Sequence, residues 1–291
     1  MGPVVLGHEF LGRIIAAGES AGDLGVGQRV VSGAGVWCGS CQWCLAGRTN
    51  LCARYFTLGL QVDGGLAEYV LAPALTCRVV PDGCEDNSAA MAQPLAVALH
   101  AVRRSRIEPG QTMAVIGIGG IGALIVGGAA RRDLCRLVAI DVDERRLERA
   151  AALGATDVVD ARTEDPARAV IELCEGVGAD VVIEASGAAQ SPATALASVR
   201  RGGTVVLVGL PKEPTPLDVA GTTLREVNVV TSVAHVCDED LPDAVEILST
   251  SDLAEIALDR VIGLESLVED GLAPLAAGEV VGKVLVDPRL S

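Results

Sequence analysis

MAVIGIGGIGALIVGGAARR, residues 113–132, decides the fold. It opens as an apolar strand, MAVIG, and closes with a helical pattern, GIGALIVGGAARR. Where they meet, Gly117-Ile118-Gly119-Gly120-Ile121-Gly122 makes a G-x-G-x-x-G turn. Gly117 allows the tight turn, Gly119 lets a ligand approach the backbone, and Gly122 lets helix pack closely on strand. Free amides and the positive end of the helix then point at a pyrophosphate. The next strand-like run, RLVAIDV, carries Asp141 nineteen residues beyond Gly122. A carboxylate there accepts both hydroxyls of an adenosine ribose and repels a 2′-phosphate, so the expected dinucleotide is NAD rather than NADP. The plain alternatives are a buried turn for the glycines and a helix-capping acid for Asp141.

The same alternation continues outward. Strand-like runs follow at DVVIEAS, TVVLVGL and NVVTSVA, with helix-like runs at DERRLERAAALG, PARAVIELCEG and ATALASVRR. Apolar strands separated by helices predict a parallel sheet covered on both faces, an α/β fold. The helix after Asp141 has an acidic first turn and a stop at Gly154. Residues 112–130 carry no charge, which resembles a membrane span, but six glycines and the turn motif argue for strand, turn and helix instead. Before residue 94 the chain reads as short β segments: GRIIAAG, QRVVSGAG, AEYVLA and CRVVP. After residue 233 a mixed tail ends in a strand, KVLVDP. The expected domains are 1–93, 94–233, and a return of 234–291 to the first.

A cysteine-rich lobe, residues 38–52, interrupts the first domain. Cys38, Cys41, Cys44 and Cys52 follow the spacing C-x2-C-x2-C-x7-C. Four thiolates so close together suit a tetrahedral zinc. A structural zinc contributes about 10–16 kcal/mol of apparent folding free energy near neutral pH. Two disulfides or four free thiols are the alternatives. Disulfides belong mainly to oxidising compartments, and MGPVVLGHEFLG does not read as an export signal, so a cytoplasmic location is expected. Cys77, Cys84, Cys135, Cys174 and Cys237 are scattered and read as ordinary buried thiols.

Composition sets outer limits. The chain has 291 residues, half of them hydrophobic and 2% aromatic, with a formal net charge of -15. It is long enough for two domains. Its acidity offers no basic footprint for nucleic acid, and neither nucleic acid nor membrane is an expected partner.

The quartet, GHE at residues 7–9, the glycine turn and the order of these parts resemble the zinc-dependent medium-chain alcohol dehydrogenases. VGQRVV, GGLAEYV, QPLAVALHAV and GKVLVDP extend the resemblance over nearly the whole chain. It leans toward the polyol group, which includes sorbitol and 2,3-butanediol dehydrogenases. The resemblance implies a GroES-like barrel with two zincs and a Rossmann domain with NAD. It implies hydride transfer between a secondary alcohol or vicinal diol and NAD, with zinc acting as a Lewis acid. His8 would be a catalytic zinc ligand, with Glu9 beside the metal. Ile121 would back the nicotinamide, Arg146 would lie near the adenosine ribose, and Val208, Gly209 and Leu210 would meet the carboxamide end. A homodimer or homotetramer built by edge-to-edge pairing at NVVTSVA is also implied.

The resemblance is incomplete in two places. Family members carry an opening segment before GHE that supplies a cysteine to the catalytic zinc, and the present sequence begins almost at GHE. Gln93 stands where the polyol group usually has a metal-binding glutamate, and a neutral amide is a weaker ligand. His8, Glu9 and Gln93 are thus the candidate catalytic set, where three protein ligands are usual. A zinc-stabilised NAD-binding protein without catalysis, or a truncated inactive enzyme, is the competing reading. A zinc-free quinone or enoyl reductase would have no use for the quartet or for His8-Glu9. His100 reads as a packed histidine, and Glu184 as an organiser of its loop.

Overall fold

A computed structural model describes residues 2–290. Two compact units emerge, Met1–Val97 with Ala234–Ser291, and Ala98–Val233.

In the first unit, β1 (Leu11–Arg13), β2 (Arg29–Ser32) and β5 (Cys77–Val79) form an antiparallel sheet in the order β1-β2-β5. Val30 and Val31 of β2 are buried. A second ladder joins β3 (Gly35–Val36) to β4 (Phe56–Thr57), with α1 (Gln42–Leu45) inside the cysteine lobe between them. The strand expected at AEYVLA does not form: Tyr69 and Leu71 lie exposed, and no ladder pairs the segment among the described residues. Alternation supplies a local preference, but a strand needs a partner for its backbone groups. α2 (Asp86–Ala89) and the start of α3 (Ala92–Ser105) follow, and the rest of α3 belongs to the second unit.

The second unit is built on a six-stranded parallel sheet. In chain order its elements are β6 (Thr112–Ile116), α4 (Gly120–Ala129), β7 (Arg136–Asp141), α5 (Glu144–Ala152), β8 (Asp157–Asp160) and α6 (Pro166–Leu173). Then come β9 (Ala179–Glu184), α7 (Ser191–Ser198), β10 (Val199–Leu207), α8 (Val219–Leu224) and β11 (Asn228–Thr231). The strand order is β11-β10-β9-β6-β7-β8, so the chain reverses direction across the sheet between β6 and β9. Ala114, Ile116, Val138, Ile140, Val182 and Val205 lie in its buried core. β8 is a strand that the sequence pattern does not announce, because DVVD is short and half acidic. The helix expected through ATALASVRR stops at Ser198, where β-branched Val199 pairs with Ala179. The uncharged stretch 112–130 resolves into β6, the turn and α4, and no helix among the described residues is long and apolar enough to cross a membrane.

The chain returns to the first unit through α9 (Cys237–Thr250), α10 (Leu253–Ala257), β12 (Leu258–Gly263), α11 (Ala273–Ala276) and β13 (Lys283–Asp287). β12 and β13 pair in parallel. Cys135 departs from the expected pattern of buried thiols, since it is exposed.

Candidate metal centre and nucleotide site

The lobe brings its four thiols together. All four Sγ atoms lie within 4.8 Å of one another, with 3.5 Å between Cys41 and Cys44, 3.9 Å between Cys38 and Cys44, and 4.0 Å between Cys41 and Cys52. A zinc tetrahedron with bonds of about 2.3 Å has sulfur–sulfur edges of about 3.8 Å. The surroundings act unequally on the four sulfurs. The Cys38 and Arg54 amides donate to Cys52 Sγ, each at 3.3 Å. The Ser40 backbone and the Arg54 guanidinium draw the Cys38 thiol down to about 5. Burial and the Cys41 thiol push Cys44 up to about 11. A divalent metal displaces these protons, and the quartet fits zinc in number, donor type and spacing.

The GHE segment is pinned by glycines. The amides of Gly64, Gly65 and Leu66 donate to the carbonyls of Val5, Gly7 and Leu6 at 2.8 to 2.9 Å. A β-carbon on Gly64 would come within 2.0 Å of the Gly7 carbonyl oxygen, so only glycine permits this approach. The GGLAEYV motif thereby seats His8, which is half-buried, and Glu9. Glu9 is ion-paired with Lys283 of β13, a partner of which the sequence pattern gives no sign. Gln93 lies buried in the first turn of α3. Among the described residues, the quartet is the one group of three or more His, Cys, Asp and Glu side chains whose ligand atoms converge. His8 and Glu9 therefore meet no third ligand of these types, and the side chains gathered at GHE do not by themselves fit a catalytic zinc.

In the second unit the glycine turn shows three distinct geometries. Gly117 has φ +88°, and a β-carbon there would strike Ser186 at 2.5 Å. A β-carbon on Gly122 would fall 1.8 Å from the Gly117 carbonyl oxygen, whereas one on Gly119 would meet open space. Gly120 and Ile121 begin α4 and are half-buried. Asp141 ends β7 with its side chain only 4% exposed. Its Oδ2 accepts from the Ile118 amide at 2.6 Å, and its Oδ1 accepts from the amides of Val142 at 2.8 Å and Asp143 at 3.0 Å. The carboxylate thus ties the glycine turn to the end of the next strand. An Arg146 Nη1 stands 3.8 Å from Asp141 Oδ1. Asp143 caps α5, and its ion pair with Arg145 draws its carboxyl down to about 2.

The loops after β9 and β10 complete this edge. Val208 and Gly209 donate from their amides to the Glu184 carbonyl, and Leu210 is 89% exposed. Ser186, which crowds Gly117, and Gly187 and Ser191, which with it cage Glu184, belong to no motif that marks them in advance; the turn signal EASG is the available clue. A fold with an open cradle at Gly119, free helix-terminal amides and a buried acid at the neighbouring strand end fits a dinucleotide.

Together, a four-thiolate lobe on a β unit and a dinucleotide-type α/β unit define the class of zinc-binding, nucleotide-linked dehydrogenases. A model of the alcohol dehydrogenase GroES-like domain matches residues 1–82, and a model of zinc-binding dehydrogenases matches residues 120–250. An uncharacterised zinc-type alcohol dehydrogenase-like protein of Haemophilus influenzae is 35% identical over 250 residues, covering 86% of this chain and 72% of that protein. Sorbitol dehydrogenase of Bacillus subtilis is 35% identical over 229 residues, covering 78% of this chain and 65% of the relative. Among solved structures, 2R,3R-butanediol dehydrogenase of Bacillus subtilis superposes with a TM-score of 0.89 at 28% identity, covering 99% of this chain and 81% of that one. A Sinorhizobium meliloti protein assigned to the zinc-binding dehydrogenases, bound to NADP, superposes with a TM-score of 0.88 at 32% identity, covering 99% and 84%. The chain belongs to the zinc-type alcohol dehydrogenase family of oxidoreductases.

Proposed function

We propose that the chain is an NAD-linked oxidoreductase of secondary alcohols or vicinal diols of the polyol type. The observation that carries the reading is the cradle of Gly117, Gly119 and Gly122 braced by buried Asp141. The amides at the start of α4 hold the pyrophosphate. Asp141 orients the adenosine ribose and disfavours a 2′-phosphate, with Arg146 beside it. Ile121, Val208, Gly209 and Leu210 border the nicotinamide. Bound NAD supplies the hydride acceptor, and zinc in the Cys38, Cys41, Cys44 and Cys52 lobe supplies folding free energy. His8, Glu9 and Gln93 are the candidate catalytic residues on the strength of the family likeness. Relatives named for sorbitol and 2,3-butanediol support the substrate class.

A specific observation favours a second reading, a zinc-stabilised NAD-binding protein without turnover. Glu9 is engaged by Lys283, and His8 and Glu9 meet no third His, Cys, Asp or Glu ligand among the described residues. Zinc per chain, coenzyme binding and NADH formation from 2,3-butanediol, sorbitol and 2-propanol separate the two. NADH formation supports the oxidoreductase. One zinc and NAD binding without turnover support the second reading. We also propose a homodimer or homotetramer formed through the β11 edge.

A further inference from the structure

Glu184, the last residue of β9, is 1% exposed. Its Oε1 accepts from the amides of Ser186 at 2.8 Å and Gly187 at 3.0 Å. It also accepts from the hydroxyls of Ser186 at 2.6 Å and Ser191 at 2.7 Å. Two amides and two hydroxyls thus converge on one carboxylate oxygen, with the Ser186 and Ser191 hydroxyls 2.8 Å from each other and Ser191 Oγ 2.7 Å from the Ala188 carbonyl. The carboxylate is clamped from the other side as well, since a β-carbon on Gly209 would come within 2.5 Å of Oε2. The Glu184 carbonyl accepts from Val208 and Gly209. Ser186 packs on Gly117. One buried acid thus organises the loops after β9 and β10 and backs the glycine turn.

The position of this acid along a bound dinucleotide follows from strand order, and this step rests on the coenzyme reading proposed above. Asp141 on β7 marks the adenosine end, and the turn after β6 marks the pyrophosphate. β9 and β10 lie on the opposite side of β6 from β7. A dinucleotide crossing the reversal point therefore lays its nicotinamide over the ends of β9 and β10. That ring is a cation in NAD+ and neutral in NADH. We infer that Glu184 is a positioning residue whose buried charge sets the balance between oxidised and reduced coenzyme, holding the receiving loops in place and favouring NAD+. A charge shielded from water acts more strongly on its neighbours than an exposed one.

The test is direct titration of the zinc-loaded chain with NAD+ and with NADH, for the unaltered protein, Glu184→Gln and Glu184→Asp. Glutamine keeps the shape and removes the charge. It is expected to weaken NAD+ about tenfold relative to NADH. Aspartate keeps the charge and is expected to preserve the ratio even where both affinities fall. Equal weakening of the two coenzymes by Glu184→Gln, or an unchanged ratio, overturns the inference and leaves only a structural role. Should glutamine prevent folding, Leu210→Lys and Leu210→Glu test the same field from an exposed position. Opposite shifts of the ratio, expected to be smaller than tenfold because water screens an exposed charge, support the placement, and no shift or shifts of one sign overturn it. Failure of the unaltered chain to bind either coenzyme would sink the coenzyme reading itself, an outcome distinct from binding with an unmoved ratio.

Discussion

At the scale of single residues, the glycine turn makes a pair of opposed predictions. Gly122→Ala places a methyl group 1.8 Å from a carbonyl oxygen and is expected to destabilise the second unit by about 1–3 kcal/mol, read from thermal or urea unfolding. Gly119→Ala has room for its methyl group, and the residue already sits at φ -74°, which alanine adopts freely. It should fold like the parent yet lose about tenfold in NAD affinity, because the methyl group occupies the space a pyrophosphate would enter. A Gly119→Ala chain that binds NAD normally would remove the turn from the coenzyme site. Asp141→Ser is expected to narrow any preference for NAD over NADP about tenfold or more, measured as a ratio of dissociation constants. The turn was legible in the sequence because the backbone leaves glycine no substitute at Gly117 and Gly122. The orientation of Asp141 was not, since three amides from two loops select it. Nor was the Glu9–Lys283 pair, whose members stand 274 residues apart.

At the scale of elements, legibility tracks how much of the information is local. The cysteine lobe reads directly from its spacing, and the parallel sheet reads from apolar runs that need no solvent face. β8 and AEYVLA mislead in opposite directions. β8 is formed by pairing with β7 despite its acids, and AEYVLA has strand composition without a partner. For the lobe, Cys44→Ser is expected to lower zinc by one equivalent per chain and to lower the melting temperature, because three thiolates no longer close the tetrahedron. Full zinc retention on elemental analysis would contradict a four-thiolate site. The sheet carries its own pH signature at Asp180. Burial pushes this carboxyl up, but the Thr112 amide and hydroxyl and the Arg200 guanidinium outweigh that and hold it below the usual carboxylate range. A group held low in the folded state stabilises above its unfolded value, and the benefit is lost as pH falls through the folded one. Solvent reaches the Arg200 side of the cluster and screens the pair, which keeps the effect small. Asp180→Asn is therefore expected to cost about 1 kcal/mol at pH 7, with the difference shrinking below about pH 4. An equal loss at pH 7 and pH 3 in denaturant titrations would refute the linkage.

At the scale of the whole molecule, charge and sheet edge pull against each other. Among the described residues β11 has one strand neighbour, β10, so its other side has no strand partner, and Val229 is partly exposed. An unprotected edge is a template for a second strand, which in a closed dimer is the same strand of a second copy. Each chain, however, carries a net charge of -15, and two such chains repel. Exposed charges more than about 10 Å apart are largely screened at 0.1 M salt, while the backbone ladder is insensitive to it. Edge pairing is therefore expected to tighten as ionic strength rises from about 0.01 M to 0.15 M, the reverse of an association driven by opposite charges. Sedimentation or light scattering across that range measures the effect. Val229→Lys adds a cation that reduces the overall repulsion but places a long charged side chain on the edge, where lysine blocks strand addition. If the edge governs assembly, this variant is a monomer at every salt concentration. If charge alone governs it, the variant associates more readily than the parent, and the β11 interface is wrong.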